Sequence, residues 1–341
     1  AGRPLLADNS TVVYVPPAQK GGSGHLLFLR ENTVMAQPFD ATSLQLAGDV
    51  FPVAERVGYG AVIAHLPVSV SANGVLVYSQ GRGANSGNEI VWRDRSGKPG
   101  GALIQAMVSQ GVAISPDEKS VAYPRFKPDQ NSDLWLLDVG RGAESRFTFH
   151  NSSINSSPVW SPDGRRVAFS STRAGSRDLY WKDTTGAGQD EPLLQGPTLK
   201  IPSDFSRDGK TLVYMELNVK TRFDLMLLPL EGDRKPAAFL QTEFNESHAQ
   251  LSPDGRWIAY ASDESTRNEV YVRPFPAGTG KWKVSLQGGV APRWSRDGRE
   301  LYFVAPDMKL MAAAVKCSTG RFDASTPVEL FDPRFPRQMA G

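Results

Sequence analysis

One short sequence recurs along the chain and constrains its fold more than any other feature. The best copy is residues 160–164, Trp-Ser-Pro-Asp-Gly, which separates two short apolar stretches. Proline presets φ, aspartate accepts hydrogen bonds from nearby backbone, and glycine tolerates positive φ, so these residues favour a tight turn. Apolar stretches on both sides of such a turn predict a β-hairpin.

The same turn returns at a nearly constant interval. Its Asp or Asn stands at positions 73, 117, 163, 208, 254 and 297, which are 43 to 46 residues apart. The six copies are residues 71–74, 115–118, 161–164, 206–209, 252–255 and 295–298. A period of about 40 to 50 residues that is filled by short strands indicates a β-propeller.

Each period divides into four short predicted strands. In the unit around Asp163 these are 158–160, 167–169, 178–181 and a fourth near 192–194. Residues 11–14, 25–29, 34–37 and 52–54 form one further set that lacks the turn, so the predicted blades are 8–58, 65–107, 111–150, 155–196, 200–242, 246–287 and 289–333. We predict an all-β fold in which residues 1–341 form a single domain, a closed β-propeller of seven four-stranded blades, with six blades as the alternative.

Composition argues against several classes of function. Lys plus Arg number 38 and Asp plus Glu 36, without a basic block, so nucleic acid is not an expected partner. Cys317 is the single cysteine, which excludes an intrachain disulfide and a cysteine-based zinc cluster. No apolar stretch approaches the roughly 18–20 residues that span a bilayer, so the chain is not expected to insert into a membrane. Because it begins at Ala1 and has no signal peptide, we expect it to be part of a longer protein.

Neither catalytic residues nor a metal or cofactor site is predicted. The histidines His25, His65, His150 and His248 are too far apart for local ligand spacing, and no Gly-x-Ser-x-Gly nucleophile motif is present. The aspartates of the repeated turns belong to separate turns, where a structural role explains them. Trp160 and Trp294, at the ends of first strands, are predicted to pack between blades.

The repeated turn, followed by a strand that begins Asp/Glu-Leu/Val-Trp/Tyr, resembles the repeat of TolB-type propellers. Segments 26–31, 35–40, 239–246 and 270–276 are similar to the C-terminal propeller region of bacterial receptor-like serine/threonine protein kinases. In such proteins the propeller follows an N-terminal kinase and is thought to act as a sensor or protein-binding module. The resemblance implies a non-enzymatic module on the extracytoplasmic (periplasmic or cell-surface) side of a membrane protein, with a cytoplasmic location as the alternative. The motifs of the kinase itself are absent from this chain.

The sequence is also compatible with two other functions. Related propellers gate the active sites of prolyl-oligopeptidase-type peptidases, and others are free-standing periplasmic scaffolds of the TolB kind. In each case we expect a monomer that binds a protein, a peptide or a small molecule.

A ligand is predicted to bind near the channel mouth, on the face built from the loops between second and third strands and between successive blades. These loops differ in length and charge, whereas the repeated turns do not. The candidate binding residues are expected nearest the axis because they lie just before the innermost strands: Asn155, Ser156, Lys200, Glu246 and His248. Lys200→Glu and His248→Glu are expected to weaken binding, and changes at Asp117 or Asp297 are not.

Overall fold

The structure is a computed structural model that describes residues 12–15, 17, 24–30, 33–54, 68–70, 76–78, 88–106, 111–127, 131–150, 153–185, 188–318 and 320–333. All 30 regular elements in these residues are β-strands, which confirms the predicted all-β class. None of the described residues forms a helix long and apolar enough to cross a membrane. The chain divides into two compact units, Ala1–Asn88 and Glu89–Gly341. Their boundary falls within the predicted second blade, and the single domain stays a prediction.

The first unit contains a sheet that matches the predicted set of strands without the turn. Its strands are β1 (Val13–Val15), β2 (Gly24–Arg30), β3 (Thr33–Asp40), β4 (Gln45–Leu46) and β5 (Phe51–Ala54). They pair in the order β1-β2-β3-β4, and β5 also pairs with β3. A separate antiparallel pair follows, β6 (Val68–Val70) and β7 (Leu76–Tyr78). The predicted turn at Asn73 and the histidine His65 lie outside the described residues.

The second unit begins with a hairpin and continues with five sheets. The hairpin is β8 (Asn88–Arg93) and β9 (Pro99–Ala106). Sheet 1 comprises β10 (Ala113–Ile114), β11 (Ser120–Phe126), β12 (Ser132–Asp138) and β13 (Ala143–Arg146). Sheet 2 comprises β14 (Asn155–Trp160), β15 (Arg166–Ala174), β16 (Ser176–Asp183) and β17 (Glu191–Leu194). Sheet 3 comprises β18 (Lys200–Phe205), β19 (Thr211–Asn218), β20 (Arg222–Pro229) and β21 (Ala237–Leu240).

The last two sheets differ in strand number. Sheet 4 comprises β22 (Glu246–Leu251), β23 (Trp257–Ser262), β24 (Glu269–Pro274) and β25 (Trp282–Lys283). Sheet 5 comprises β26 (Val290–Trp294), β27 (Glu300–Val304), β28 (Leu310–Ser318), β29 (Arg321–Ala324) and β30 (Val328–Phe331). Sheets 1 to 4 are antiparallel meanders of four strands, as predicted for these repeats, while sheet 5 has a fifth strand because β28 pairs with both β29 and β30.

Successive sheets of the second unit pack face to face through apolar side chains. Between sheets 2 and 3, for example, Leu179 of β16 and Phe205 and Leu212 of the next sheet share one buried cluster. The second strands are therefore buried on both faces, and every residue of β23 is buried. This explains why the sequence of these strands is continuously apolar and does not alternate.

The repeated Ser-x-Asp-Gly turns form the predicted hydrogen bonds. In all five copies of the second unit the Ser Oγ donates to the Asp Oδ1 at 2.6 or 2.7 Å. In the copy at Asp163 the same Oδ1 accepts the backbone N–H of Arg165 at 3.0 Å. Both hydrogen bonds lower the pKa of Asp163, and the bond from Ser161 has the larger effect. The turn aspartates thus have a structural role, as predicted.

Asp163→Ala is expected to lower the free energy of unfolding by roughly 1–2 kcal/mol, because the turn loses these two hydrogen bonds. Urea denaturation followed by tryptophan fluorescence would measure the loss. Asp233→Ala, at an exposed position without a hydrogen bond of this kind, is the matched control. Ligand binding lost at unchanged stability would instead mean that Asp163 is a functional residue.

Two ion pairs connect the end of the second unit to its beginning. Arg296, in the last turn, lies 2.6 Å from Glu118, which stands where the other turns have glycine. Arg95, between β8 and β9, donates to both carboxylate oxygens of Glu300 at 2.5 and 2.6 Å. Sheet 5 is therefore in contact with both the first hairpin and the first turn of its own unit.

Candidate functional site

The first strands of sheets 2 to 5 have a β-bulge at the same place. Their register with the second strand shifts at Ser156/Val159, Pro202/Asp204, Ser247/Gln250 and Val290/Arg293. Within three of these bulges Ser157, His248 and Ala291 have φ of 54°, 53° and 52°. Because the bulge recurs from sheet to sheet, the unusual backbone of His248 belongs to the repeat and is not by itself evidence of a site.

In sheets 3 and 4 the residue after the bulge connects neighbouring sheets. Oδ2 of Asp204 accepts the backbone N–H of Leu251, in the first strand of sheet 4, at 2.8 Å. Oε1 of Gln250 accepts the backbone N–H of Trp294, in the first strand of sheet 5, at 2.7 Å. The first strands of successive sheets are thus joined side by side by side-chain hydrogen bonds.

Both tryptophans that end first strands also join neighbouring sheets. Nε1 of Trp160 donates to the carbonyl of Ala113 in sheet 1 at 3.0 Å. Nε1 of Trp294 donates to the carbonyl of Gln250 in sheet 4 at 3.2 Å. Their predicted role in packing between blades is confirmed.

Arg293 occupies the equivalent position in sheet 5 but makes no such connection. Its Nη1 donates to the carbonyl of its neighbour Pro292 at 2.8 Å. Among the described residues no carboxylate oxygen lies within the 4.0 Å of an ion pair with it. The surrounding protein lowers the pKa of Arg293, although the side chain is exposed. The negative charge of Asp204 opposes this shift. The guanidinium is therefore exposed to solvent and lacks a close counter-charge.

Two titratable groups lie near Arg293. Burial raises the pKa of Asp204 to about 6, although the backbone N–H groups of Leu251 and Phe205 act against this shift. The surrounding protein also lowers the pKa of His248 to about 4, although the side chain is exposed, and the positive charge of Arg293 lowers it further. His248 is consequently neutral at pH 7, with Nδ1 3.0 Å from Oγ of Ser247. We call Asp204, His248 and Arg293 the inner cluster.

The sequence-predicted binding residues separate into two groups in the structure. Asn155, Lys200 and Glu246 are the first residues of β14, β18 and β22, so they hold equivalent places in successive sheets, as the period predicted. All three are buried, as is Ser156. Only His248 of the five candidates has an exposed side chain and belongs to the inner cluster.

Three of the four buried candidates already have side-chain partners within the protein, whereas Oγ of Ser156 has none. Nδ2 of Asn155 donates to the carbonyl of Ser132 at 2.9 Å, and its Oδ1 accepts from Arg173 at 3.0 Å. Nζ of Lys200 lies 3.3 Å from Oδ1 of Asp178. The hydroxyl group of Thr242 donates a hydrogen bond to Oε1 of Glu246. Contact of these residues with a ligand stays a prediction.

Arg293 and Asp204 are not among the residues that the sequence predicted. The available signal was their position, two residues before the serine of the repeated turn, where sheets 1 and 2 have Ala113 and Val159. A position that is apolar in other copies of the repeat serves packing there. A charged residue at the same position does not pack in this way and is therefore a candidate for ligand recognition.

Comparison with known proteins supports the repeat. The family described as the TolB β-propeller domain matches residues 105–272. An uncharacterized protein of Agrobacterium fabrum is 30% identical over 137 residues, which are 40% of this chain and 46% of that protein. The uncharacterized peptidase YuxL of Bacillus subtilis is 24% identical over 215 residues, 50% of this chain and 33% of the peptidase. The chain therefore covers less than half the length of either relative.

The fold has a counterpart among solved structures. TolB from Acinetobacter baumannii aligns with 90% of this chain and 79% of its own at a TM-score of 0.54, with 15% sequence identity. At this identity the likeness concerns the fold alone. The strands, the repeated turns and the family match agree that residues 105–272 are similar to the TolB β-propeller domain and that the fold resembles that of a TolB-type propeller.

Proposed function

We propose that the chain is a non-enzymatic binding module whose inner cluster receives an acidic group of a protein or peptide ligand. The observation that carries the proposal is Arg293, an exposed guanidinium without a carboxylate at ion-pair distance among the described residues. Such a cation can bind an anionic group of a ligand, because a charge-assisted hydrogen bond is about twice as strong as a neutral one. Arginine also presents paired donors that match a carboxylate.

The neighbours of Arg293 leave it available to such a ligand. The oxygens of Asp204 accept the backbone N–H groups of Phe205 and Leu251, each at 2.8 Å. His248 is neutral at pH 7 because its pKa is lowered, so its imidazole adds a hydrogen-bond donor without adding charge. We infer that the ligand group is a carboxylate, from an acidic side chain or from a chain terminus.

Arg293→Ala is expected to weaken binding of a fluorescein-labelled oligoglutamate peptide about tenfold or more, since a hydrogen bond to a charged group contributes roughly 1.5–3 kcal/mol. Fluorescence anisotropy at low ionic strength would measure it, with an oligoglutamine peptide as the neutral comparison. Arg299→Ala is the matched control, because Arg299 is 84% exposed in a repeated turn. Equal affinity of the wild type, Arg293→Ala and Arg299→Ala for oligoglutamate would contradict the proposal.

A more specific proposal concerns the parent protein. We infer that the module is the extracytoplasmic sensor part of a bacterial receptor-like serine/threonine kinase and that it is a monomer. The support is the resemblance of residues 26–31, 35–40, 239–246 and 270–276 to such propellers. The reading frame that encodes this chain tests it: a kinase domain and a membrane helix upstream are expected, and their absence would contradict it.

A second candidate is the propeller of a peptidase of the prolyl-oligopeptidase type. The observation that favours it is the 24% identity with the peptidase YuxL over 50% of this chain. This function requires an α/β-hydrolase domain with a Gly-x-Ser-x-Gly motif in the same reading frame. A free-standing TolB-like scaffold would instead have neither a kinase nor a hydrolase.

For the architecture we propose a closed ring of seven blades. The five sheets of the second unit, the hairpin β8–β9 and the sheet β1–β5 supply candidate strands for all seven. An experimental structure with six blades would contradict the proposed number.

A further inference from the structure

The third strands of sheets 1 to 4 each have a buried carboxylate among their first three residues. These residues are Asp133, Asp178, Asp224 and Glu269, and none of them is more than 2% exposed. A carboxylate transferred from water into protein carries a large free-energy cost unless it is paired with a cation or neutralised. Each of the four therefore needs a nearby cation, or a proton, to offset this cost.

Three of the four carboxylates have a cation as partner. Lys127 and Arg146 lie 2.8 and 2.6 Å from Asp133, Lys200 lies 3.3 Å from Asp178, and Arg267 and Lys283 lie 3.0 and 3.7 Å from Glu269. For Asp224, no lysine or arginine nitrogen of the described residues comes within the 4.0 Å limit. Asp224 is the exception within its own repeat.

A second carboxylate stands where the repeat places the missing cation. Asp224 and Glu246 follow Asp178 and Lys200 by the same interval, 46 residues. Glu246 is 2% exposed and therefore replaces the Lys200 ammonium with a buried negative group. One loop holds both carboxylates, since Gln241 donates to Oδ2 of Asp224 at 2.8 Å and Thr242 donates to Oε1 of Glu246.

The remaining oxygen of each carboxylate has no partner. Oδ1 of Asp224 and Oε2 of Glu246 are buried and accept no hydrogen bond in the structure. Two buried charges of the same sign would repel each other strongly at this burial. A metal ion fits poorly, because the described residues contain no group of three or more His, Cys, Asp or Glu side chains that could hold one. Their inaccessibility also leaves no contact for the water that a two-carboxylate metal site would need.

We propose that Asp224 and Glu246 share one proton, with Oε2–H of Glu246 donating a hydrogen bond to Oδ1 of Asp224. One proton gives both unpartnered oxygens a partner and removes one of the two charges. The pKa of Glu246 is raised by burial and further by Asp224, in agreement with a proton held on this side chain. This hydrogen bond joins β20 of sheet 3 to β22 of sheet 4. At the equivalent position between sheets 2 and 3, the two sheets are joined by the ion pair of Asp178 and Lys200.

The other charged groups around the pair do not neutralise it. Glu264 adds to the rise in the pKa of Glu246, and its own partner is Lys281 at 2.5 Å. Arg222, two residues before Asp224, lies 3.5 Å from Asp263. The nearby phenol of Tyr260 has its pKa raised by burial and is neutral at physiological pH. A shared proton is therefore what offsets the second negative charge. The contact between the two sheets consequently depends on pH.

The sign of this dependence follows from the direction of the pKa shift. The folded pKa of Glu246 lies above its unfolded value of about 4.3, so the stabilisation is complete below that value. It is lost as the pH rises through the folded pKa, because the pair then gives up its proton. Sheets 3 and 4 are therefore joined less strongly at alkaline pH.

Glu246→Gln tests the shared proton, because a carboxamide can donate to Asp224 at every pH. Relative to the wild type, we expect an unchanged unfolding constant near pH 4 and an unfolding constant smaller by about tenfold or less near pH 8, because the variant keeps a hydrogen-bond donor for a buried carboxylate that the deprotonated wild type leaves unpartnered. Urea denaturation across this range would measure both. Glu243→Gln, at an exposed position of the same loop, is the matched control and should follow the wild type.

Equal pH profiles for the wild type and Glu246→Gln would overturn the proposal. So would a rise in wild-type melting temperature with Ca²⁺ or Mg²⁺ that Glu246→Gln does not show, since the pair would then hold a metal. If Glu246→Gln does not fold, infrared spectra of the wild type decide. A protonated-carboxyl band that persists at neutral pH and disappears at alkaline pH supports the pair, and its absence at neutral pH refutes it.

Discussion

Replacing Lys200 by glutamate is expected to destabilise the fold, a larger effect than the loss of binding predicted from the sequence. The Lys200 ammonium lies 3.3 Å from Oδ1 of Asp178 and 2.8 Å from the carbonyl of Thr198, and both charged side chains are 3% exposed. Removal of one partner of a buried ion pair costs roughly 3–5 kcal/mol. We expect Lys200→Glu to lower the free energy of unfolding by about that amount at neutral pH, as measured by urea denaturation.

Two controls separate the buried ion pair from a general effect of charge. Lys210→Glu changes a 59% exposed lysine that pairs with Glu231, and should cost less than about 1 kcal/mol. The double variant Asp178→Asn, Lys200→Met removes both charges and should recover much of the loss. Equal stability of Lys200→Glu and Lys210→Glu would show that Lys200 is not held in this pair and is free for a ligand.

Lys200→Glu also creates a second carboxylate pair of the kind formed by Asp224 and Glu246. Its destabilisation is therefore expected to be smaller near pH 5, where the new pair can hold a proton, than near pH 8. A single substitution in sheet 3 would thus transfer the proposed pH dependence to the contact between sheets 2 and 3.

The sequence predicted the strands and turns of the second unit well, because their signals are local. The turn at Asp163 contains residues that each favour a turn, and its Ser-Asp hydrogen bond forms within three residues. The four strands predicted around it correspond to β14, β15, β16 and β17. The equivalence of Asn155, Lys200 and Glu246 also followed from the period alone.

The side-chain environments of the candidate site could not be predicted in this way. A first strand with a bulge, such as that between Ser247 and Gln250, no longer alternates strictly between two faces. The exposed position of His248 and the burial of Glu246 two residues earlier therefore do not follow from a period of two. The partner of Lys200 lies in the preceding sheet, a contact that no local pattern reveals.

Sheet 5 shows a further limit of the repeat. The four-strand pattern predicts one outer strand after Val315, whereas the structure has both β29 and β30 paired with β28. The extra strand contains Phe322, opposite Cys317 in register and 1% exposed. Its ring lies among three tryptophans, with centroid distances of 5.6, 5.9 and 6.2 Å to Trp257, Trp282 and Trp294.

Phe322→Ala is expected to be among the most destabilising single substitutions in the chain. The ring belongs to the buried cluster shared by sheets 4 and 5, and truncation of a buried phenylalanine costs roughly 3–5 kcal/mol through lost burial and the cavity left behind. Urea denaturation would measure the loss, and tryptophan fluorescence is a suitable signal because three tryptophans surround the ring. Phe322→Leu, which keeps most of the apolar volume, should cost less.

Val328→Ala is the matched control, because Val328 is an apolar residue of the same sheet that is 56% exposed. Its truncation should change the free energy of unfolding by less than about 0.5 kcal/mol. If Phe322→Ala lost no more than this, the strand β29 would not be packed on sheet 4 in solution. If the loss is as expected, this strand beyond the four-strand repeat is a principal contact between sheets 4 and 5, because its one aromatic ring reaches tryptophans of both sheets.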